Sequence, residues 1–279
     1  MNLTIFGNDN VLLRSYLFFL TKNKEIKIDI ILFPNLSKQN KKIMDVSEFK
    51  RSSIFEKYNS NLNLKIPYTF WGDSKINSIL NDYFLNNYNT DVSGFKEFLK
   101  IKLRKIDTVN EINFYSSKNI NMETLEHIKF KTKNNIILNT GNFIYTQKLI
   151  TNLNDNVYHV HPGYLPDLKG ADGIFWSISK FNKVGMSLFR INERIDEGEI
   201  YARKNFNFFK FKHQVLNNLN TKEKYNFILS TLDPILRAKY FTEWGINSLA
   251  KKEPIQNSSG NYNTFMNEKE LENVMHKIF

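Results

Sequence analysis

An α/β fold built on a central, parallel-rich sheet is predicted by three features of this 279-residue chain. Short apolar runs rich in β-branched residues alternate with segments of helical periodicity. Turn-forming Gly, Asn and Pro residues punctuate the alternation. The alternation continues to about Phe206 and then gives way to helix, which places the strands in one N-terminal unit.

Leu3 to Phe6 ("LTIF") reads as the first strand, Val11 to Leu20 ("VLLRSYLFFL") as a helix, and Lys27 to Phe33 ("KIDIILF") as the second strand. The turn between the first strand and the helix, "GNDN", holds a single glycine. A dinucleotide pyrophosphate needs repeated glycines so that the backbone can approach it, so no dinucleotide cofactor is predicted. The polar, Lys- and Asn-rich stretch from about Ser37 to Asn63 reads as a surface helix with loops, and Lys75 to Tyr88 and Gly94 to Leu103 as helical pieces.

Asn134 to Asn142 ("NNIILNTGN") has the pattern of a buried strand closed at Gly141, and Tyr145 to Leu153 that of a helix. Val157 to His161 is the next strand. Ala171 to Phe181 follows as a helix opened by Asp172, an N-capping residue type. Gly185 to Ile191 is a strand, and a turn around Gly198 leads into another. Lys222 to Trp244 reads as a long amphipathic helix interrupted by Pro234, and Asn257 to Phe279 as a loop and a short helix. These patterns divide the chain into an α/β domain over residues 1–210 and a helical extension over 211–279.

Composition narrows the function. With 41% hydrophobic and 24% charged residues the chain is an ordinary globular protein with ample length for a core. It has no cysteine, which excludes disulfides, thiolate metal sites and a Cys nucleophile. No leader pattern or long apolar run is present, so a cytoplasmic protein without a membrane span is predicted. The net charge of +11 suits a polyanionic partner or a phosphorylated substrate. The basic residues are mostly scattered lysines without a dense block, so nucleic acid is not the expected partner.

Chemistry concentrates in Val157 to Ile178, "VYHVHPGYLPDLKGADGIFWSI". On a strand, His159 and His161 face the same way because side chains alternate. Pro162, Gly163 and Pro166 then force an irregular loop at the strand's carboxyl end, where open α/β sheets place ligands. Asp196 follows in a turn one helix and one strand later, which can bring it beside His161. Two satisfied polar residues at a strand end and a His-x-His zinc site, with Asp196 or His127 as third ligand, are the competing readings. Metal is not expected.

The segment from "VYHVHPGYLPDLKGAD" through "GMSLFRINERIDEGEI" resembles the folate-dependent formyltransferases. That family includes glycinamide ribonucleotide transformylase, methionyl-tRNA formyltransferase and sugar-nucleotide N-formyltransferases. The resemblance covers about Asn135 to Ile200. It rests on His161-Pro162, Leu165-Pro166, Lys169-Gly170 and Asp196-Glu197-Gly198, with His159 where the family has Asn.

The resemblance implies a Rossmann-like domain and formyl transfer from 10-formyltetrahydrofolate to an amine. It gives His161 the polarising or proton-handling role, Asp196 the orientation of His161, and His159 a ring N–H aimed at the oxyanion. Folate would lie against Gly141, Asn142, Phe143, Ile144 and Tyr145, and the acceptor beside Lys169, Gly170, Ala171 and Asp172. The tail lacks the strand pattern of a basic tRNA-binding barrel, so the expected acceptor is the amino group of a nucleotide-linked sugar destined for surface polysaccharide. Methionyl-tRNA formyltransferase, formyltetrahydrofolate hydrolase and a non-catalytic folate or sugar-nucleotide binding module are the alternatives. A homodimer is compatible with all of these.

Overall fold

The computed structural model describes residues 1–32, 68–114, 126, 128–129, 132, 135–141, 145, 147–251, 253–255 and 260–279. The helix-and-loop expectation for Ser37 to Asn63 falls outside them, as do His127, Asn142, Phe143 and Ile144.

The chain opens with strand β1 (Asn2–Gly7), helix α1 (Val11–Leu20) and strand β2 (Lys27–Leu32). Leu3 and Ile5 point into one hydrophobic core and Phe6 into a second on the opposite face, the period-two pattern of a doubly covered strand. Asn10 caps α1 by accepting from the Leu13 amide at 2.9 Å. Inside the same turn Arg14 makes a two-armed ion pair with Asp9, at 2.6 and 2.8 Å, with both side chains buried. That pair fixes the exit from β1.

Helix α2 (Ser74–Tyr88) leads to strand β3 (Val109–Phe114), after which come β4 (Ile136–Asn139), β5 (Val157–His161) and the short β6 (Leu168–Gly170). Helix α3 (Gly173–Phe181) precedes the hairpin of β7 (Lys183–Arg190) and β8 (Ile200–Asn207). Seven strands form one sheet in the order β3-β2-β1-β4-β5-β7-β8. The first five run parallel, and β7 and β8 join antiparallel. The strand order reverses between β1 and β4, so the carboxyl ends of β1, β4 and β5 border a switch-point crevice.

Beyond β8 come helices α4 (Thr221–Ser230) and α5 (Leu232–Tyr240), a π-helical turn over Phe241–Gly245, strand β9 (Asn261–Asn263), which pairs in parallel with β6, and α6 (Glu268–Ile278). The extension after residue 210 is helical, as the sequence predicts, with a short strand that its pattern does not reveal. Phe227, Leu236, Phe241 and Ile278 sit in the same core as Leu3, Leu17 and Val160, so α4 to α6 complete the sheet's cover.

The predicted interruption at Pro234 is displaced by three residues, to Thr231. Pro234 occupies the first turn of α5, where a missing N–H costs nothing. The Ser230 carbonyl, which an N–H at position 234 would have served, accepts instead from the Trp71 indole at 2.8 Å.

Candidate active site

A cavity of about 310 Å³ opens at the carboxyl edge of the sheet, lined among others by Asn139, Gly141, His159, His161, Asp196 and Arg237. Its floor comes from two neighbouring strand ends. In the β4–β5 register Asn139 lies opposite His159. The Asn139 side chain bridges the loop that follows, donating to the Gly141 carbonyl at 3.0 Å and accepting from the Gly141 amide at 3.1 Å and the Tyr145 hydroxyl at 3.0 Å. Gly141 and Tyr145, both predicted to border folate, therefore line the cavity.

The loop after β5 is fixed from below by β7 and β8. Ser187 accepts from the Leu165 amide and donates to the Gly163 carbonyl, both at 2.8 Å. Arg203 donates to the Leu165 carbonyl at 3.0 Å and lies over the Tyr164 ring. The Leu165–Pro166 peptide is cis.

His161, only 4% exposed, donates from Nε2 to the Leu168 carbonyl at 2.7 Å, and its Nδ1 lies 3.4 Å from Asp196 Oδ2. The sequence expectation that Asp196 meets His161 is matched by this distance. Burial pulls the His161 imidazole below its ordinary range, opposed by the Asp196 carboxylate and the Leu168 carbonyl. With Nε2–H committed to Leu168, a neutral ring turns the Nδ1 lone pair towards the carboxylate, and two acceptors facing one gap make a proton-holding site.

Asp196 is held in the left-handed backbone region, with φ 56°, and its Oδ2 accepts from the Gly170 amide at 2.8 Å. Asp is one of the few non-glycine residues that adopt that conformation readily. Gly198 lets the turn close. A Cβ there would stand 1.5 Å from the Arg190 carbonyl oxygen, so only glycine lets the turn close against β7.

His159 requires a correction. Its Nδ1 lies 3.0 Å from the Asn139 carbonyl oxygen, which can only accept, so Nδ1 carries the proton. Burial first and the Arg237 guanidinium second press the imidazole down to about 4. At neutral pH the ring therefore presents Nε2 as an acceptor, and the oxyanion-directed N–H expected of it is absent. The Asn139 carbonyl that dictates the tautomer belongs to a neighbouring strand, twenty residues away in the chain.

The acceptor-side expectations divide. Gly170 and Asp172 line the cavity, whereas Lys169 and Ala171 do not. Lys169 is drawn to Glu197 at 3.1 Å, and the Ala171 amide bonds the Asn263 carbonyl at 3.0 Å, because β9 pairs with β6 there. Asp172 precedes α3 but does not cap it. With φ 53° its carboxylate turns away from the helix amides and accepts from the Tyr225 hydroxyl at 2.8 Å and the Met266 amide at 3.0 Å.

Arg237, like Asn139, lines the cavity although sequence reasoning named neither as a site residue. It lies on α5, in the extension, and is gripped by Asp233 one turn earlier through Nε and Nη2, both at 2.8 Å. A Glu or Asp four residues before an Arg is a common surface pair, so the spacing alone did not mark it. Among the described residues no three His, Asp or Glu side chains gather as a metal site would require.

No family model matches the chain. Its structure is similar to glycinamide ribonucleotide transformylase 1 from Symbiobacterium toebii, at 9% identity over 93% of this chain and 92% of that one, with a TM-score of 0.50. It is also similar to a sugar N-formyltransferase from a Shewanella species, at 13% identity over 99% and 86% of the two chains, with a TM-score of 0.49. A further similar structure is the formyltransferase PseJ from Anoxybacillus kamchatkensis, in complex with a UDP-linked formamido sugar and tetrahydrofolate, at 16% identity over 99% and 90%, with a TM-score of 0.40. The chain has the fold of the transformylase, a mostly parallel sheet carrying a helical C-terminal region.

Proposed function

We propose that the chain transfers a formyl group from 10-formyltetrahydrofolate to an amine, the amino group of a nucleotide-linked sugar. The observation that carries this reading is the convergence of His159, His161 and Asp196 on one cavity at the switch-point edge of the sheet. His161 and Asp196 are positions at which the chain's motifs resemble those of the folate-dependent formyltransferases, and His159 stands where that family has Asn.

The reaction needs a site that takes a proton and later returns it. The amine nitrogen bonds to the formyl carbon, and the carbonyl electron pair moves onto oxygen. The proton shed by the new ammonium passes into the His161–Asp196 gap, where two acceptors face each other. Collapse of the oxyanion breaks the bond between the formyl carbon and folate N10. N10 leaves with the electron pair and takes the proton back, giving a formamide and tetrahydrofolate.

Two features support a nucleotide-linked acceptor. The net charge of +11 favours a phosphate-bearing substrate over a neutral one. The extension packs α4 to α6 into the domain's own core, unlike the separate basic barrel expected of a tRNA-binding relative.

The test is incubation with 10-formyltetrahydrofolate, with and without a panel of nucleotide amino sugars. Sugar-dependent release of tetrahydrofolate is the expected result. Sugar-independent release identifies a hydrolase, and binding of folate without turnover identifies a binding module.

A further inference from the structure

The tetrahedral intermediate carries a negative oxygen, and the structure leaves residue 159 unable to donate to it. The Asn139 carbonyl takes the one ring N–H of a neutral His159, so what His159 shows the cavity is a lone pair. The cavity nevertheless holds a permanent cation. Arg237 lines it together with His159, His161 and Asp196. Its side chain is 13% exposed and that of Asp233 7%, and the Asp233 fork uses Nε and Nη2, leaving Nη1 outside the pair. A guanidinium oriented by a buried carboxylate and shielded from water is a preorganised donor for developing negative charge.

We infer that Arg237, from helix α5 of the C-terminal extension, is the oxyanion-stabilising residue of this enzyme, and that His159 serves instead as the hydrogen-bond acceptor that orients the attacking amine. The inference rests on the formyl-transfer reading above and reverses the polarity that the family pattern assigns to position 159. One arm of the guanidinium meets the formyl oxygen as the carbon–nitrogen bond forms, while the amine directs one N–H at His159 Nε2 and its lone pair at the carbon. No proton moves to His159. The groups acting on its ring are Arg237 from α5, the Asn139 carbonyl from β4, Asp196 from the β7–β8 turn and His161 from β5. Burial first, with Arg237 adding to it, depresses the protonation of both histidines, which keeps Nε2 of His159 free as an acceptor across the neutral range.

Two measurements test the inference. Nitrogen-15 NMR of histidine-labelled protein at pH 7 reports the tautomer of His159 without any substrate. The expected spectrum shows Nδ1 protonated and Nε2 bare, and a protonated Nε2 overturns the acceptor role.

The second measurement is steady-state kinetics of Arg237→Lys, which keeps a cation opposite Asp233 and removes the spare guanidinium arm. The expected change is a loss of about 100-fold in kcat with KM for both substrates within about threefold, the mark of an interaction made in the transition state. Circular dichroism melting close to that of the wild type verifies folding. A folded Arg237→Lys protein with wild-type kcat overturns the Arg237 assignment while leaving formyl transfer standing. A wild-type protein that transfers no formyl group to any amine overturns both.

Discussion

The Tyr225 hydroxyl donates a 2.8 Å hydrogen bond to Asp172, and the Tyr225 ring lies stacked on Phe175 at 4.8 Å between centroids. This contact ties α4 to the rim of the cavity through one carboxylate, whose other oxygen takes the Met266 amide. Two segments of the C-terminal extension thus hold a residue that lines the cavity.

Tyr225→Phe keeps the stack and removes the bond. Stability should fall by about 0.5–1.5 kcal/mol, the net value of one such hydrogen bond, measured by urea unfolding. If Asp172 also positions the acceptor, KM for the amine should rise while KM for the folate donor stays constant. An unchanged acceptor KM would make the contact purely structural.

The Asp-x-Gly turn gives a second prediction. Gly198→Ala drives a methyl group into the Arg190 carbonyl, with no side chain available to yield. The turn must shift, and Asp196 sits two residues away. The expected outcome is a destabilisation of roughly 1–3 kcal/mol, accompanied by a fall in kcat larger than the lost stability explains. Retention of wild-type kcat by a folded Gly198→Ala protein would show that Asp196 tolerates movement of its turn.

Strands β1, β2, β4, β5, β7 and β8 and the pairing of His161 with Asp196 were legible in the sequence because local signals carry them, whereas the polar β3 and the three-residue β6 were not. Alternation sets which side chains share a face, and Pro and Gly mark where β5 stops. Arg237 and the tautomer of His159 were not legible, for one shared reason. Both depend on contacts between segments far apart in sequence, α5 against the sheet edge and the Asn139 carbonyl against β5. Asp172 looked like a helix cap since Asp commonly plays that part, and only its left-handed backbone and the distant Tyr225 redirect it. Strand β9 escaped because its three residues pair with β6 without any apolar alternation.

Acid sensitivity follows from His159. Its folded pKa is about 4 and its ordinary value 6.5, so between those limits the unfolded chain binds the extra proton. Stability should therefore hold above about pH 6.5 and decline as pH falls towards 4, by at most about 1.4 kcal/mol per pH unit for one group. His161, shifted in the same direction, adds to the decline. Urea unfolding between pH 7.5 and 4.5 should show a shallower slope for His159→Asn than for the wild type. Parallel slopes would mean that the imidazole is not buried in its neutral form.

The His161–Asp196 pair supplies the last prediction. If the 3.4 Å gap between Nδ1 and Oδ2 is where the amine proton rests, the two side chains act as one unit. Asp196→Asn preserves an oxygen for the Gly170 amide but offers the gap no charge, and His161→Ala removes the other wall. Each change should reduce kcat by about 100-fold or more, the scale of a lost acid–base group. Because either loss empties the same gap, the double variant should be little slower than the worse single one, as residues that work as a unit are strongly non-additive. Independent roles give a different pattern, in which the two losses multiply. Four proteins compared in one formylation assay, with folding verified by circular dichroism, separate the outcomes. Multiplied losses would move the proton's resting place out of the His161–Asp196 gap.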